Sequence, residues 1–449
     1  MVNERKYIDF NLLLQGLDSA TNTFKVSVPL SAVGETRKEF VVPCPLDEVQ
    51  KKFKRLEKRK SSKKELIEIG KQLTALLFPS EQIRNLFKRA IDEAGAEGCV
   101  CLRLIINHPK LAQLPWEFCY LPVPEGEEDS YDNFIALNPR YSIVRHEALD
   151  TKPPELSKEG QDSIRLLAVT ANVEGDGYRE LDLDSEKEAI QEALQNFSVD
   201  GIKLTWEPFI ENPTAQELIQ LLDQKADLFH FAGHGKFEIT EIDPESEENK
   251  GVGSLILLKD KTDNSPAPFS ASLLAKHLYR AGVRVAVLGA CESGRRDGIS
   301  PWTGVAPTLI KEGIAAVVAM QYEVDDKLAA SFSQRFYTAI ASGLSINEAV
   351  SLGRIEMYRE ADEGGIDWGI PVLYIRSSNG IIFPEIAKKE LTTANELRIE
   401  GEVRAKTIKG GNFNVVAIDK VVKANQISGR IEADTIEGYD GNVIKIGEI

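Results

Sequence analysis

The sequence predicts an α/β protein on a mostly parallel sheet flanked by helices on both faces, and three observations predict it. Apolar strand-like runs alternate with helix-period segments from about residue 98 to residue 380. Several of these runs are apolar throughout instead of at every second position, as strands covered on both faces are. Two of them, DLFHFAGHG and VRVAVLGACESG, end in a reactive residue set among glycines. In an open parallel sheet, function collects at such carboxyl ends.

The elements follow in order. IDFNLLLQGL, TFKVSVPL and KEFVVPCPL alternate in the strand manner, so residues 1–64 read as a β-rich extension. It forms either a small meander of its own or an addition to the main sheet. Its end, Lys51 to Lys64 (KKFKRLEKRKSSKK), reads as a basic linker or a solvated helix face more readily than as a binding surface. A central domain then spans residues 65–380. Leu66, Ile69, Leu73 and Leu76 recur at helical spacing. VCLRLIINHP and SIRLLAVTAN are strands, SEKEAIQEALQNF a helix, IKLTWEPFI a strand, and TAQELIQLLDQ a helix capped by Thr214. Next come the strands DLFHFA and SLILLKD, the helix SASLLAKHLYRAG, and the strand VRVAVLGA. APTLIKEG is helical, AAVVAMQ a strand, and Asp326 to Ser342 a long helix. After Pro384 the helical period disappears, and residues 390–449 read as a separate β module.

Composition narrows the function. The chain has 449 residues, enough for two or three domains, and 42% are hydrophobic, enough for a sizeable core. Its net charge of −16 argues against nucleic acid or an anionic membrane as the main partner. No apolar run reaches the ~20 residues that span a bilayer, and the N-terminus has no apolar stretch of the signal-peptide kind. The five cysteines are odd in number, with no CxxC pair and no zinc-ligand spacing. A reducing, cytoplasmic location and no metal or cofactor are therefore expected. There is no GxxxxGK[ST] or GxGxxG loop for a nucleotide.

His234 and Cys291 lie 57 residues apart, each at the Gly-rich exit of an apolar strand. Parallel neighbouring strands would deliver both to one sheet edge. A thiol there needs a base that promotes its thiolate and later protonates a leaving amine, and an imidazole does both. The flanking glycines leave room for a peptide backbone. The N–H groups of Gly235 and Cys291 are candidates for an oxyanion hole, a device worth ~3 kcal/mol per donor. His230, Cys99 and Cys119 read as packing residues, and Trp116 and Trp302 as core anchors rather than substrate contacts.

HFAGHG, VLGACESG and GVAPTLIKEGIAAVVAMQYEVDD, together with LRLIINHPKLAQLPWEFCY and its Leu-Pro-Trp-Glu segment at Leu114 to Glu117, resemble the CHAT domain. That family is caspase-like and allied to separase and gingipains. The resemblance covers roughly residues 65–380. It implies a caspase-hemoglobinase fold and cysteine endopeptidase activity on a protein substrate, with roles in prokaryotic immunity or programmed cell death. It further implies His234 as general acid/base, Cys291 as nucleophile and Gly235 as an oxyanion donor. Ser293 stands where members often have Thr, and Tyr322 and Glu323 where they often have Pro or Trp; neither change touches the dyad. Asp325 and Asp326 occupy positions that are acidic in the family: they either shape the pocket for the P1 side chain, or Asp326 caps the following helix. Glu292 faces either a basic P1 side chain or solvent. A caspase-like pocket needs a fixed Arg, and the nearest, Arg295 and Arg296, sit on a Gly-flanked loop, so a basic or neutral P1 is expected. The alternative from another class is an inactive caspase-like scaffold, against which the intact His/Cys pair weighs.

The last sixty residues hold a repeat. GEVRAKTIKGGNFNVVAI from Gly401 and GRIEADTIEGYDGNVIKI from Gly429 align without gaps at a period of 28. Charges invert between the copies: Glu402 with Arg430, Arg404 with Glu432, Lys406 with Asp434, Lys409 with Glu437. Stacked strands need that pattern, because like charges in register repel. The repeat resembles a HET-s-type amyloid signalling motif, which implies templating onto a like partner; a soluble β domain is the other reading. Either way the module is expected to serve self-association or a sensor partner.

Overall fold

The computed structural model describes residues 6–384 apart from 19, 45–50, 53–54, 56–61, 97, 124–125, 127, 148, 151–155, 157–162, 174, 176, 179, 196–202, 207–208, 243–248, 263–264, 290–300, 362–364 and 377–379; beyond them it describes 403–410 and 431–438. Two compact units emerge, one made of Arg5–Ile386 and one of Met1–Glu4 with Ala387–Ile449.

In the larger unit the strands are β1 (Tyr7–Asp18), β2 (Thr23–Ser27), β3 (Phe40–Pro43), β4 (Cys99–Ile106), β5 (Tyr141–His146), β6 (Ser163–Ala171), β7 (Lys203–Trp206), β8 (Ile210–Glu211), β9 (Leu228–Gly233), β10 (Gly235–Ile242), β11 (Asn249–Leu258), β12 (Pro266–Ser270), β13 (Val285–Gly289), β14 (Ala316–Met320) and β15 (Pro371–Ile375). The helices are α1 (Lys63–Leu77), α2 (Glu81–Ala94), α3 (Pro109–Ala112), α4 (Asp184–Gln195), α5 (Ala215–Leu222), α6 (Ala271–Ala281), α7 (Pro301–Lys311), α8 (Asp326–Ala341) and α9 (Ile346–Glu360).

One sheet dominates, in the order β3-β2-β1-β4-β5-β15-β14-β13-β9-β6-β7, with β8 also on β6. Apart from the antiparallel edge strands β2 and β3, it consists of two parallel blocks of opposite sense. β14, β13, β9, β6 and β7 run one way; β15, β5, β4 and β1 run the other. The blocks meet at the antiparallel pair β14/β15. The N-terminal strands are thus an addition to the main sheet, and β5 occupies the edge of β15 that would otherwise be open. Every residue of β9, β13, β14 and β15 is buried, so helices cover the centre of the sheet on both faces.

The helices begin where the sequence supplies caps. Ser62, Thr214 and Ser345 each close a capping box with the Glu three residues on. Pairing overrides one expectation. SLILL is a strand, but it belongs to a separate antiparallel sheet, β10-β11-β12. The reason is local: the chain leaves β9, turns at His234, and β10 returns against β11, with the Ile256 N–H donating to the His234 carbonyl at 2.9 Å. Most of the basic run before Ser62 lies outside the described residues.

In the smaller unit, β16 (Val403–Gly410) and β17 (Ile431–Gly438) form a parallel pair. Its register is the 28-residue repeat itself: Ala405 opposite Ala433, Thr407 opposite Thr435, Ile408 opposite Ile436. Arg404 is the register partner of Glu432, and Lys409 of Glu437, so the pairing follows the charge-inverted positions of the repeat.

Candidate functional site

The parallel pair β9/β13 sets the geometry. Val285 lies opposite Leu228, and the register runs without a slip to Gly289 opposite Ala232. His234 follows Ala232 by two residues, as Cys291 follows Gly289. Both strands therefore reach the same sheet edge in step. Cys291 and Glu292 themselves lie outside the described residues, as do the side chains of Pro301 to Thr303, Trp302 included.

His234 is fully buried at the corner between the main sheet and the small one. Its ring lies against that of Tyr178, centroids 4.9 Å apart and planes 37° apart. Gly235 opens β10 opposite Leu255. Because Ile256 donates to the residue before Gly235, the Gly235/Leu255 pair is of the non-hydrogen-bonded kind, and the Gly235 N–H points away from β11. Gly233 answers to packing: a Cβ there would stand 2.7 Å from the Ala171 carbonyl oxygen and 2.8 Å from the Phe231 ring.

Below the strand ends lies a polar cluster that sequence reasoning missed. His230 packs in the core, as the sequence suggests, but with polar partners: Nδ1 lies 3.0 Å from the Tyr337 hydroxyl and Nε2 3.5 Å from Glu186 Oε1. The Ser333 hydroxyl donates to the same carboxylate oxygen at 2.6 Å. Burial pushes Glu186 up, but the His230 ring and the Ser333 hydroxyl more than offset it and hold the carboxyl below its ordinary value. A Cβ on Gly289 would stand 3.1 Å from Glu186 Oε1, so the cluster abuts β13 as well as β9. The Tyr337 phenol is pushed well up by burial and by the Glu186 charge.

The loop after β14 is held from beneath. Gln321 accepts from Arg145 Nη2 at 2.9 Å, donates to Glu117 Oε2 at 2.7 Å, and its N–H reaches the Ile370 carbonyl at 3.1 Å. Arg145 and Glu117 form a two-pronged pair, Nε to Oε1 at 3.1 Å and Nη2 to Oε2 at 2.7 Å. Burial disfavours the Arg145 charge, yet the Glu117 carboxylate holds it above its ordinary value. This gives the Leu-Pro-Trp-Glu segment its physical sense. Trp116 is buried and donates to the Leu111 carbonyl at 2.9 Å, and Glu117 joins the N-terminal half to the loop beside the site.

At the far end of that loop Asp325 is the N-cap of α8, accepting from the Lys327 and Leu328 N–H groups at 3.0 and 3.4 Å. The cap is thus one residue earlier than the capping alternative considered for Asp326. Asp326 accepts from the Asp182 N–H at 3.1 Å, tying the loop after β6 to the start of α8. Among the described residues no His/Cys/Asp/Glu cluster could hold a metal, and no helix is long and apolar enough to cross a membrane.

A family model described as the CHAT domain matches residues 68–377. No curated protein matches the sequence. Among solved structures the chain is similar to gingipain R, an Arg-specific cysteine proteinase of Porphyromonas gingivalis (13% identity, 75% of this chain and 74% of that one, TM-score 0.39). It is also similar to separase in the Saccharomyces cerevisiae separase–securin complex (12% identity, 82% and 30%, TM-score 0.42). Caspase-1 from Spodoptera frugiperda aligns at 9% identity over 51% and 94%, with a TM-score of 0.30. The chain spans under a third of the separase chain it matches.

Proposed function

Because the chain belongs to the CHAT-domain family, we propose that it is a cysteine endopeptidase in which His234 and Cys291 form the catalytic dyad. One observation carries the reading: β9 and β13 are parallel neighbours, in register to Ala232 and Gly289, and each is followed at the same interval by one of the two residues. The imidazole of His234 promotes the Cys291 thiolate, which attacks the scissile carbonyl carbon. The oxyanion that forms takes hydrogen bonds from the N–H groups of Gly235 and Cys291. The direction of the Gly235 N–H, away from β11, supports that role. His234 then protonates the leaving amine, and water, deprotonated by the same ring, hydrolyses the thioester.

Three carboxylates, Glu292 next to Cys291 in the sequence and Asp325 and Asp326 at the start of α8, favour a basic or neutral P1 side chain. Asp325 and Asp326 act there by charge, since both also hold backbone N–H groups. The β16/β17 module brings the enzyme to copies of itself or to a sensor, in the manner of an amyloid signalling motif, and so links the peptidase to immunity or cell death. Incubation with a peptide library, with and without Cys291→Ala, tests the proposal. Cleavage after Lys, Arg or neutral residues that Cys291→Ala abolishes is expected; cleavage that survives Cys291→Ala refutes the dyad, and cleavage only after Asp refutes the pocket.

A further inference from the structure

We propose that Tyr178 is a positioning residue for His234: its ring caps the imidazole, fixes the plane of the ring and keeps bulk water off it. The inference rests on His234 being the acid/base of the site, and it concerns a loop to which nothing above gives a role.

The loop is built to hold a side chain in place. It leaves the carboxyl end of β6, the strand beside β9, so its tip stands over the edge where His234 sits. Its neck is closed by one side chain. Asn172 Nδ2 donates to the Leu181 carbonyl at 2.9 Å, and Asn172 Oδ1 accepts from the Leu181 N–H at 3.0 Å, as two paired strands would. The Asn172 N–H is itself held by Asn212 Oδ1 at 2.7 Å. At the tip the Tyr178 N–H donates to the Gly175 carbonyl at 2.9 Å, closing a four-residue turn. Gly177 takes the third position with φ +90°, a backbone conformation that favours glycine. Below the loop, Asp182 hands its N–H to Asp326 at the start of α8. These bonds, made by the described residues Asn172, Gly175, Tyr178, Leu181 and Asp182, set where Tyr178 stands.

At that place the phenol ring meets the imidazole at 4.9 Å, tilted 37°, and His234 has no exposed surface. An imidazole at the end of a strand has one free rotation that matters, about Cβ–Cγ, and it decides which way the two nitrogens point. A ring lying against its face removes that freedom. An acid/base must present one nitrogen to the thiol and then to the leaving amine, so the orientational order raises kcat, while substrate binding is left to other loops.

The test uses the full chain as wild type, Tyr178→Leu and Tyr178→Phe. It has two readouts, peptide hydrolysis and ethoxyformylation of histidines by diethyl pyrocarbonate mapped by mass spectrometry. In Tyr178→Leu, kcat falls roughly tenfold, the scale of one aromatic contact, with KM within about twofold. Tyr178→Phe, which keeps the ring, recovers most of the loss. His234 is labelled faster in Tyr178→Leu than in wild type or Tyr178→Phe, whereas His277, on α6, is labelled equally in all three and reports an intact fold. A wild-type kcat in Tyr178→Leu, or unchanged labelling of His234, overturns the proposal. If the wild type cleaves no peptide, the dyad reading fails on its own, and the labelling ratio still decides whether Tyr178 covers His234.

Discussion

Replacing Glu117 by Ala tests how the N-terminal half supports the site. Glu117 is fully buried and Arg145 nearly so, and the carboxylate takes two bonds from the guanidinium and one from Gln321. Removing it leaves a buried guanidinium whose other acceptors are neutral, the carbonyls of Ala112 and Leu114 and the Gln321 amide. Breaking a buried pair in this way costs ~3–5 kcal/mol, more than the pair contributes when set against an apolar replacement. In a unit of this size that corresponds to a fall in Tm of roughly 4–6 °C. Urea and thermal unfolding followed by tryptophan fluorescence measure it, since Trp116 and Trp368 are buried close to this network. Replacing Glu117, Arg145 and Gln321 together by Met removes the stranded charge and recovers most of the loss. Glu93→Gln, at the exposed ion pair with Lys6, leaves the midpoint unchanged. If Glu117→Ala destabilises by less than ~1 kcal/mol, the pair is not what holds Gln321, and the reasoning fails.

Three further outcomes follow from the same geometry. The Glu186 carboxyl is held below its ordinary value of 4.5, so its stabilising effect is complete above that pH and is lost as pH falls through the depressed value. The Tm difference between wild type and Glu186→Gln should therefore shrink on acidification below about pH 4.5, and a constant difference would exclude a stabilising role for the Glu186 carboxylate. Cys44, Cys99, Cys101 and Cys119 are buried, and burial pushes the Cys44 thiol up to about 11 and Cys101 up to about 12. Iodoacetamide on the native protein should accordingly label Cys291 alone, and rapid labelling of any other cysteine contradicts the packing. In the smaller unit, Glu432→Arg places two cations opposite each other at Arg404 and weakens association, and adding Arg404→Glu restores it; sedimentation of the single and double variants decides, and no rescue removes the role of the charges.

Much of this architecture can be read from residues, and the failures share one cause. Strands buried on both faces declare themselves as unbroken apolar runs, so β9, β13 and β14 were legible. The charge-inverted repeat announced the register of β16 and β17, because position-by-position complementarity is a local property. What stayed hidden depends on which strand lies beside which. SLILL looks like a main-sheet strand, yet hairpin pairing with β10 takes it into the small sheet. The reversal of direction between β14 and β15 leaves no trace in either strand. The α9 helix carries its own signal, the Ser345/Glu348 capping box ahead of Ile346, Ala349, Val350 and Met357. The exit of β9 into His234 and Gly235 was legible from the glycine-rich strand end. Glu186, Ser333 and Tyr337 were not, since three distant helical residues meet His230 only after the helices pack. Tyr178 was hidden for the same reason, on a glycine-rich loop that reads as a plain connection.

The dyad is tested most directly by trapping the nucleophile. The purified chain is incubated with a peptidyl acyloxymethyl ketone bearing Lys or Arg at P1, and the adduct is located by peptide mapping. A single thioether on Cys291 is the predicted result, formed much more slowly in His234→Ala while the unfolding midpoint of that variant stays at the wild-type value. An adduct on another residue, or labelling of Cys291 at the wild-type rate without the imidazole, would contradict the account.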